Sequence, residues 1–476
     1  MNCLFILSVI ITTCECYRIF CLLPYPGKSH HMVFEPLLDE LARRGHNVTT
    51  VSFFPAPNPH PNRREVSLVG LADLSIEVID LSTIDNPFFG ETLSHLSTAT
   101  ELAKLNLVLC EKLLYSDVLK EFIEVKEDYD VIIVEHFTSD CMMGLVHNYG
   151  LPSVGLSSCA FLPWTPSRLG APDNPSYVPG MTLPFTDDMT FFERLQNTLI
   201  HIFYKWWFEI FIRWEEQRLL ERRLGHTLPL LSEIAGNASV VLVNTHHTLN
   251  GVRVMPPAFV EVGGIHLHNR TVQPLTEDGF ILFSFGTLIR GSTLPSQRLT
   301  AILKVFAGLS QRVVWKWENE QIENLPPNVR LLSLTEAVSA GVPTVAVAVL
   351  GDQFGNAAHA QRAGGSHRLV LSHLDEASFG AAVRLILTDE KRSEAKLLSQ
   401  KWRDRPLPPM DTAVFYIEQT ARYGGLEMSS RARKLNAFQL ALFDVIALLV
   451  CVVGTIIAST VYAWRKLKRV RKEKSS

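Results

Sequence analysis

Short apolar runs rich in β-branched residues recur along this chain. Each is followed by a polar loop and then by a stretch whose apolar positions have helical spacing. This alternation constrains the fold more than any other feature. A strand that is apolar on both faces must be covered on both, which is the condition of a parallel sheet wrapped by helices. The first instance is Arg18-Ile19-Phe20-Cys21-Leu22-Leu23-Pro24. The loop Tyr25-Pro26-Gly27-Lys28 leads to Ser29, whose side chain suits an N-cap. The helix that follows carries Val33, Phe34, Leu37, Leu38 and Leu41 on one face, with Pro36 expected to bend it. Arg43 and Arg44 fall in its last turn and Gly45 at its cap. Asn47 to Phe54 then reads as a second strand, completing a right-handed βαβ unit, the seed of a doubly wound sheet.

The pattern continues with Asp130-Val131-Ile132-Ile133-Val134, ending at Glu135, and with Pro152-Ser153-Val154-Gly155-Leu156. Val240 to Asn244 is the last strand expected in the N-terminal half. After a Pro-rich stretch near 251–260, the second half brings Phe280-Ile281-Leu282-Phe283-Ser284-Phe285, turning at Gly286-Thr287. Arg312 to Trp317 follows, and then Thr344 to Leu350. Two βα halves in series predict two facing Rossmann-like domains, over residues 17–250 and 251–430. Regular βα alternation also argues against the strand spacing of a β-sandwich ectodomain. The aromatic segment from Phe191 to Arg213, with Trp206, Trp207, Phe208, Phe211 and Ile212, fits either a helix on a membrane surface or a buried helix.

The two ends place this body relative to a membrane. Val445 to Trp464 carries no charge and is long enough to cross a bilayer, with Tyr462 and Trp464 suited to the interfacial belt. The tail 465–476 that follows holds seven basic residues against the single acid Glu473, so the positive-inside rule puts it in the cytosol. With a formal net charge of −3, the basic residues crowd beside this apolar segment and do not spread over a folded surface, which argues against a nucleic-acid partner. Lys472 and Lys474 resemble a di-lysine signal for return to the endoplasmic reticulum. At the start, Leu4 to Ile11 and Cys14-Glu15-Cys16 read as a signal peptide over residues 1–16. The expected topology is therefore single-pass type I in the endoplasmic reticulum membrane, with a lumenal body. Sequons at Asn47, Asn237 and Asn269 fit a lumenal body. Cys21, Cys110, Cys141 and Cys159 are too scattered for a disulfide scaffold or a zinc spacing and read as buried thiols.

His30 falls just past the first strand, in the first turn of the helix. A helix N-terminus disfavours imidazolium, which suits a general base for an acceptor hydroxyl. Further on, Leu334-Thr335-Glu336-Ala337-Val338 leads through Gly341-Val342-Pro343 and an apolar strand to Gly351-Asp352-Gln353. A carboxylate and an amide thus stand at a C-terminal strand tip, where open α/β sheets bind ligands.

This stretch resembles the donor-binding segment of the UDP-glycosyltransferase (UDP-glucuronosyltransferase-like) family, and Phe283-Ser284-Phe285-Gly286-Thr287 with Arg290-Gly291-Ser292-Thr293 gives it an arthropod-like character. The resemblance runs along nearly the whole chain, through Arg405-Pro406-Leu407-Pro408-Pro409-Met410-Asp411-Thr412-Ala413 and the apolar span. It implies an α/β fold of the GT-B type, two facing Rossmann-like domains plus a C-terminal transmembrane helix. The implied activity is inverting, metal-independent transfer of glucose or glucuronic acid from a UDP-sugar to a hydroxyl of a small lipophilic acceptor. No cofactor is implied beyond the UDP-sugar itself, and homo- or hetero-oligomers are compatible with it.

In Ser29-His30-His31-Met32-Val33-Phe34-Glu35-Pro36-Leu37 the motif match makes His30 the base, with Glu135 or Asp140 as the carboxylate that orients it. Gly286 and Thr287 match the turn near the diphosphate, Glu336 the acid on the ribose, and Asp352 and Gln353 the pair on the donor sugar. The family's Trp-x-Pro-Gln stretch and His-Gly-Gly turn have no counterpart, because Asn328-Val329-Arg330-Leu331-Leu332 runs straight into Ser333-Leu334. A smaller shortening falls between Pro274 and Gly279. The larger gap should remove a strand and a phosphate-binding helix start, leaving a sheet position unfilled. That raises an alternative, a catalytically inactive member acting as a binding or hetero-oligomerising subunit.

Overall fold

The computed structural model of the chain describes residues 16–72, 100, 104–268, 280–283, 293–309, 312–315, 334–349 and 351–474. Its first sheet has seven strands, all parallel: β1 (Arg18–Leu23), β2 (Asn47–Ser52), β3 (Arg63–Ser67), β4 (Val131–Glu135), β5 (Ser153–Ser157), β6 (Val240–Val243) and β7 (Phe259–Glu261). They lie in the order β3-β2-β1-β4-β5-β6-β7. Successive side chains of β1 point to opposite faces and feed two cores. Ile19 and Cys21 pack with Phe34, Leu37 and Leu41 of helix α1 (Lys28–Arg43), while Phe20 and Leu22 pack with Phe122 and Leu119 on the other side.

Two expectations change here. Helix α1 starts at Lys28 behind Gly27, with no side-chain cap, so Ser29 lies inside the first turn. The first sheet also runs past residue 250, because β7 pairs with β6. Neither β3 nor β7 was expected, since Arg63-Arg64-Glu65 is charged and β7 has only three residues.

Helix α2 (Phe191–Trp207) opens with a reciprocal cap between Thr190 and Glu193. It passes through a wider π-type turn at Phe208–Arg213 into α3 (Trp214–Leu224). Ile200, Tyr204, Phe208 and Ile212 are buried against Trp164 and Met181. Cys110 and Cys141 form a disulfide with a Cα–Cα separation of 5.7 Å, correcting the reading of Cys21, Cys110, Cys141 and Cys159 all as thiols. The bond joins residues 31 apart in sequence, a proximity that spacing alone does not reveal. Cys21 and Cys159 are buried free thiols.

The second half is built differently. β8 (Phe280–Phe283) pairs in parallel with β9 (Arg312–Trp315), and β10 (Thr344–Ala348) with β11 (Ser366–Val370). Among the described residues these two pairs are not joined into one sheet. Both nevertheless contribute to a single core: Val313, Ile281, Val345, Val347 and Leu369 pack with Ile302 and Phe306 of α4 (Ser296–Ala307). Helix α5 (Leu334–Ser339) leads into β10, and α6 (Gln353–Ala363) leaves it. Helices α7 (Glu376–Ile386) and α8 (Asp389–Arg403) follow.

The chain then crosses back. Met410, Ala413, Val414 and Ile417 of α9 (Pro409–Tyr423) join the core under α1. Arg44 donates to Asp411 at 2.5 Å, and His46 pairs with Glu418 at 3.1 Å. Helix α10 (Phe443–Lys474) follows, and its stretch Phe443–Arg469 is long and apolar enough to cross a membrane.

Candidate active site

β1 and β4 are parallel neighbours, with Leu22 opposite Val134, so the loop after β1 and the end of β4 meet at one sheet edge. His30, in the first turn of α1, reaches from that loop to Glu135, the last residue of β4. Its Nδ1 lies 2.7 Å from Glu135 Oε1. The loop after β5 brings the Ser158 hydroxyl to 2.7 Å from the same nitrogen. Both side chains of this hydrogen-bonded pair are largely shielded, at 13% exposure for His30 and 5% for Glu135. Donation of Nδ1–H to the carboxylate fixes the tautomer that leaves the Nε2 lone pair free to take a proton. The rings of Tyr25 and Phe137 flank the imidazole at centroid distances of 4.4 Å and 4.3 Å, which limits its rotation.

Asp140 goes elsewhere. It is fully buried and accepts from Arg168 Nη2 at 2.8 Å and Arg213 Nε at 2.9 Å. Burial pushes its carboxyl up, but the two guanidinium groups outweigh that and hold it below its ordinary value. The second acid candidate is thereby separated from His30, and its place in the fold is structural. Beside it, Glu216 accepts from the Ser139 hydroxyl at 2.5 Å and from the Asp140 N–H at 2.8 Å. Burial, and next the charge of Asp140, push the Glu216 carboxyl well up. With the Cys110–Cys141 disulfide, this network holds the turn that carries Phe137 against His30.

From the second half, Asp352 and Gln353 stand at the start of α6. Asp352 accepts from Asn356 at 3.0 Å, and Gln353 folds back to accept the Val349 N–H at 2.9 Å. Burial raises the Asp352 carboxyl, and the charge of His30 pulls it back, so the two groups share one electrostatic environment across the cleft. Asn250 donates to Asn356 at 2.9 Å, and Arg362 pairs with Asp187, tying the halves together. Gly264 lets Trp402 approach, since a Cβ there would sit 2.2 Å from the indole, and its φ of +82° suits glycine.

The backbone of Glu336 lies in α5, whereas Gly286, Thr287 and the shortening at 274–279 lie outside the described residues. Among the described residues the junction encloses about 140 Å³, lined by Ser158, Asn244, His246, Val338, Asp352 and Asn356. Small-molecule sites commonly run to roughly 300–1,000 Å³. Burial, then Arg405 and His247, lower the His246 ring to about 3 and keep it neutral. Ser158, Asn244 and His246 escaped the sequence reading. The rule that ligands gather beyond C-terminal strand ends would have pointed to them, since they follow β5 and β6 directly.

Two α/β bodies that face each other across such a cleft give this chain the GT-B fold. Solved members share the fold: VinC in complex with dTDP aligns at a TM-score of 0.55 and 12% identity, covering 86% of this chain and all of that one. The kitacinnamycin glycosyltransferase aligns at 0.54 and 17%, with the same coverage. Sequence relatives are closer. UDP-glucosyltransferase 2 of Dactylopius coccus is 32% identical over 480 residues, covering 93% of this chain and 91% of the relative. Human UDP-glucuronosyltransferase 2A3 is 27% identical over 504 residues, covering 93% of each. The family model described as UDP-glucoronosyl and UDP-glucosyl transferase matches residues 22–335 and 331–475. The chain belongs to this UDP-glycosyltransferase family, whose donor is a UDP-sugar. The two matched stretches overlap only at 331–335, where the sequence reads as lacking a segment.

Proposed function

We propose that the chain transfers a hexosyl group, glucose or glucuronic acid, from a UDP-sugar to a hydroxyl of a small lipophilic acceptor, with inversion and without a metal. The observation that carries this is the 2.7 Å contact between His30 Nδ1 and Glu135 at the domain junction, with Asp352 across the cleft. In this mechanism Nε2 takes the acceptor's hydroxyl proton as its oxygen attacks the anomeric carbon. The bond from that carbon to the UDP oxygen breaks, and UDP leaves with the electron pair. Glu135 stabilises the imidazolium that forms. Glu336, Asp352 and Gln353 hold the ribose and sugar, and Gly286 and Thr287 approach the diphosphate. A nucleotide sugar requires the junction to widen beyond its present volume. Helix α10 is read as a membrane span with the body in the lumen of the endoplasmic reticulum. The disulfide and the exposed Asn47 and Asn237 sequons support an oxidising, lumenal environment.

Among the described residues the second half falls into two separate strand pairs, which favours one further reading, a binding or hetero-oligomerising subunit without turnover. Titration of the full-length protein with UDP-glucose and UDP-glucuronate separates the two. Saturable binding with Kd in the range of about 1 μM–1 mM is expected for the transferase, and no binding to either would leave only the second reading.

A further inference from the structure

The first turn of α1 carries His30 with little local support. Gly27 gives it no side-chain cap, and the turn holds no acidic residue to meet the helix dipole. Pro36 supplies no N–H to the Met32 carbonyl, which weakens the turn that follows. A helix start of this kind frays unless tertiary contacts hold it. Glu135 and Ser158 grip the His30 ring itself. The backbone beneath the ring needs a hold of its own.

A second set of charges provides it. His31 pairs through Nε2 with Glu35 Oε2 one turn further on, and its ring leans on Phe54 at a centroid distance of 5.7 Å. Arg63, from the edge strand β3, closes on Glu35 with both terminal nitrogens. Nη1 donates to Oε1 at 3.0 Å and Nη2 to Oε2 at 3.2 Å. The same Nη1 donates to Asp39 at 2.6 Å, and Nε pairs with Glu65 of its own strand. The Arg63 side chain is fully buried, and a two-pronged guanidinium–carboxylate contact fixes direction as well as distance. Burial pushes the Glu35 carboxyl up, but hydrogen bonds from His31 and Arg63 outweigh it and bring the group down to about 2. Glu35 is therefore an anion at neutral pH.

We propose that Arg63 and Glu35 are positioning residues for His30. With His31 they lock the first two turns of α1 onto β3, so that Nε2 of His30 keeps one direction into the cleft. This rests on the reading of His30 as the base. Arg63 acts on that ring through Glu35, His31 and the helix backbone.

Removing Arg63 would strand the buried Glu65, so the test changes Glu35, which is partly exposed. The full chain in detergent micelles is compared with Glu35→Ala, which opens the clamp, and Glu35→Gln, which keeps its hydrogen bonds. Diethyl pyrocarbonate modifies neutral imidazoles, and mass spectrometry follows each histidine separately. In Glu35→Ala the His30 rate is expected to rise about tenfold. Buried His246 and exposed His226 should keep their rates, and Glu35→Gln should stay near the parent. Turnover should fall about tenfold in Glu35→Ala through kcat, with KM for the UDP-sugar unchanged. An unchanged His30 rate, or a rise that His246 shares, overturns the clamp. If the parent chain turns over no UDP-sugar, the transferase reading fails, and the His30 rate alone decides the clamp.

Discussion

The two halves of this molecule were built on one plan and differ in continuity. In the first, seven parallel strands form an unbroken sheet whose β1 and β4 are buried on both faces. In the second, among the described residues, two parallel pairs share a core without a strand to join them. A parallel sheet relies on its interior strands to satisfy backbone groups on both sides, which the first half provides along β1 and β4. The same contrast runs through the site. On the first half's side His30 Nδ1 has Glu135 and Ser158 within 2.7 Å, whereas on the second half's side Gln353 is folded back onto its own strand end. Continuity of the sheet and readiness of the site go together, because each ligand-facing side chain hangs from a strand tip.

Amide exchange probes this contrast most strongly. Amides of β1 and β4 are expected to exchange roughly a thousandfold more slowly than those of β10 and β11. Equal protection would mean that the second half is as cooperative as the first. Next comes the disulfide that braces the turn beside His30. Cys141→Ser is expected to lower the stability of the N-terminal domain by about 2–4 kcal/mol in denaturant melts, with little effect on a transition of the second half.

Smaller effects are expected from single polar groups. Asn250→Ala removes the bond to Asn356 and should cost about 1 kcal/mol while loosening the junction, read as faster proteolysis near residue 250. Glu216 tests the buried network through pH. Its folded carboxyl is raised above the unfolded value by burial and Asp140, so the folded state holds the extra proton. That stability is present at acid pH and falls as pH rises above the unfolded glutamate's 4.5. In Glu216→Gln this downward slope, on the order of 1 kcal/mol per pH unit, should vanish from the stability profile. A slope unchanged by the substitution would place the proton elsewhere.

Much of the fold was legible because apolar strands such as Val131–Val134 and Thr344–Ala348 are covered on both faces and so read as continuous runs. β3 and β7 were not. Charge along Arg63-Arg64-Glu65 hides an edge strand paired on one side only, and three residues at Phe259–Glu261 carry no period. His30, Glu135, Asp352 and Gln353 were visible as residues, since Glu135 ends a strand and the others stand at or just before the start of the helix that follows one. What separated Glu135 from Asp140 was geometry: Arg168 and Arg213 come from distant segments, and nothing local announces that they converge on Asp140. Disulfide pairing of Cys110 with Cys141 was hidden for the same reason. The join at Leu332-Ser333, where the sequence reads as lacking a segment, lies outside the described residues.

The account turns on His30 as the base. The direct measurement is UDP release by the full chain, given UDP-glucose or UDP-glucuronate and a panel of lipophilic alcohols, compared with His30→Ala. Release in the variant is expected to fall by about 10²–10⁴-fold while UDP-sugar binding stays unchanged. Equal release by both proteins would contradict the mechanism, and no release by the parent chain would contradict the proposed activity itself.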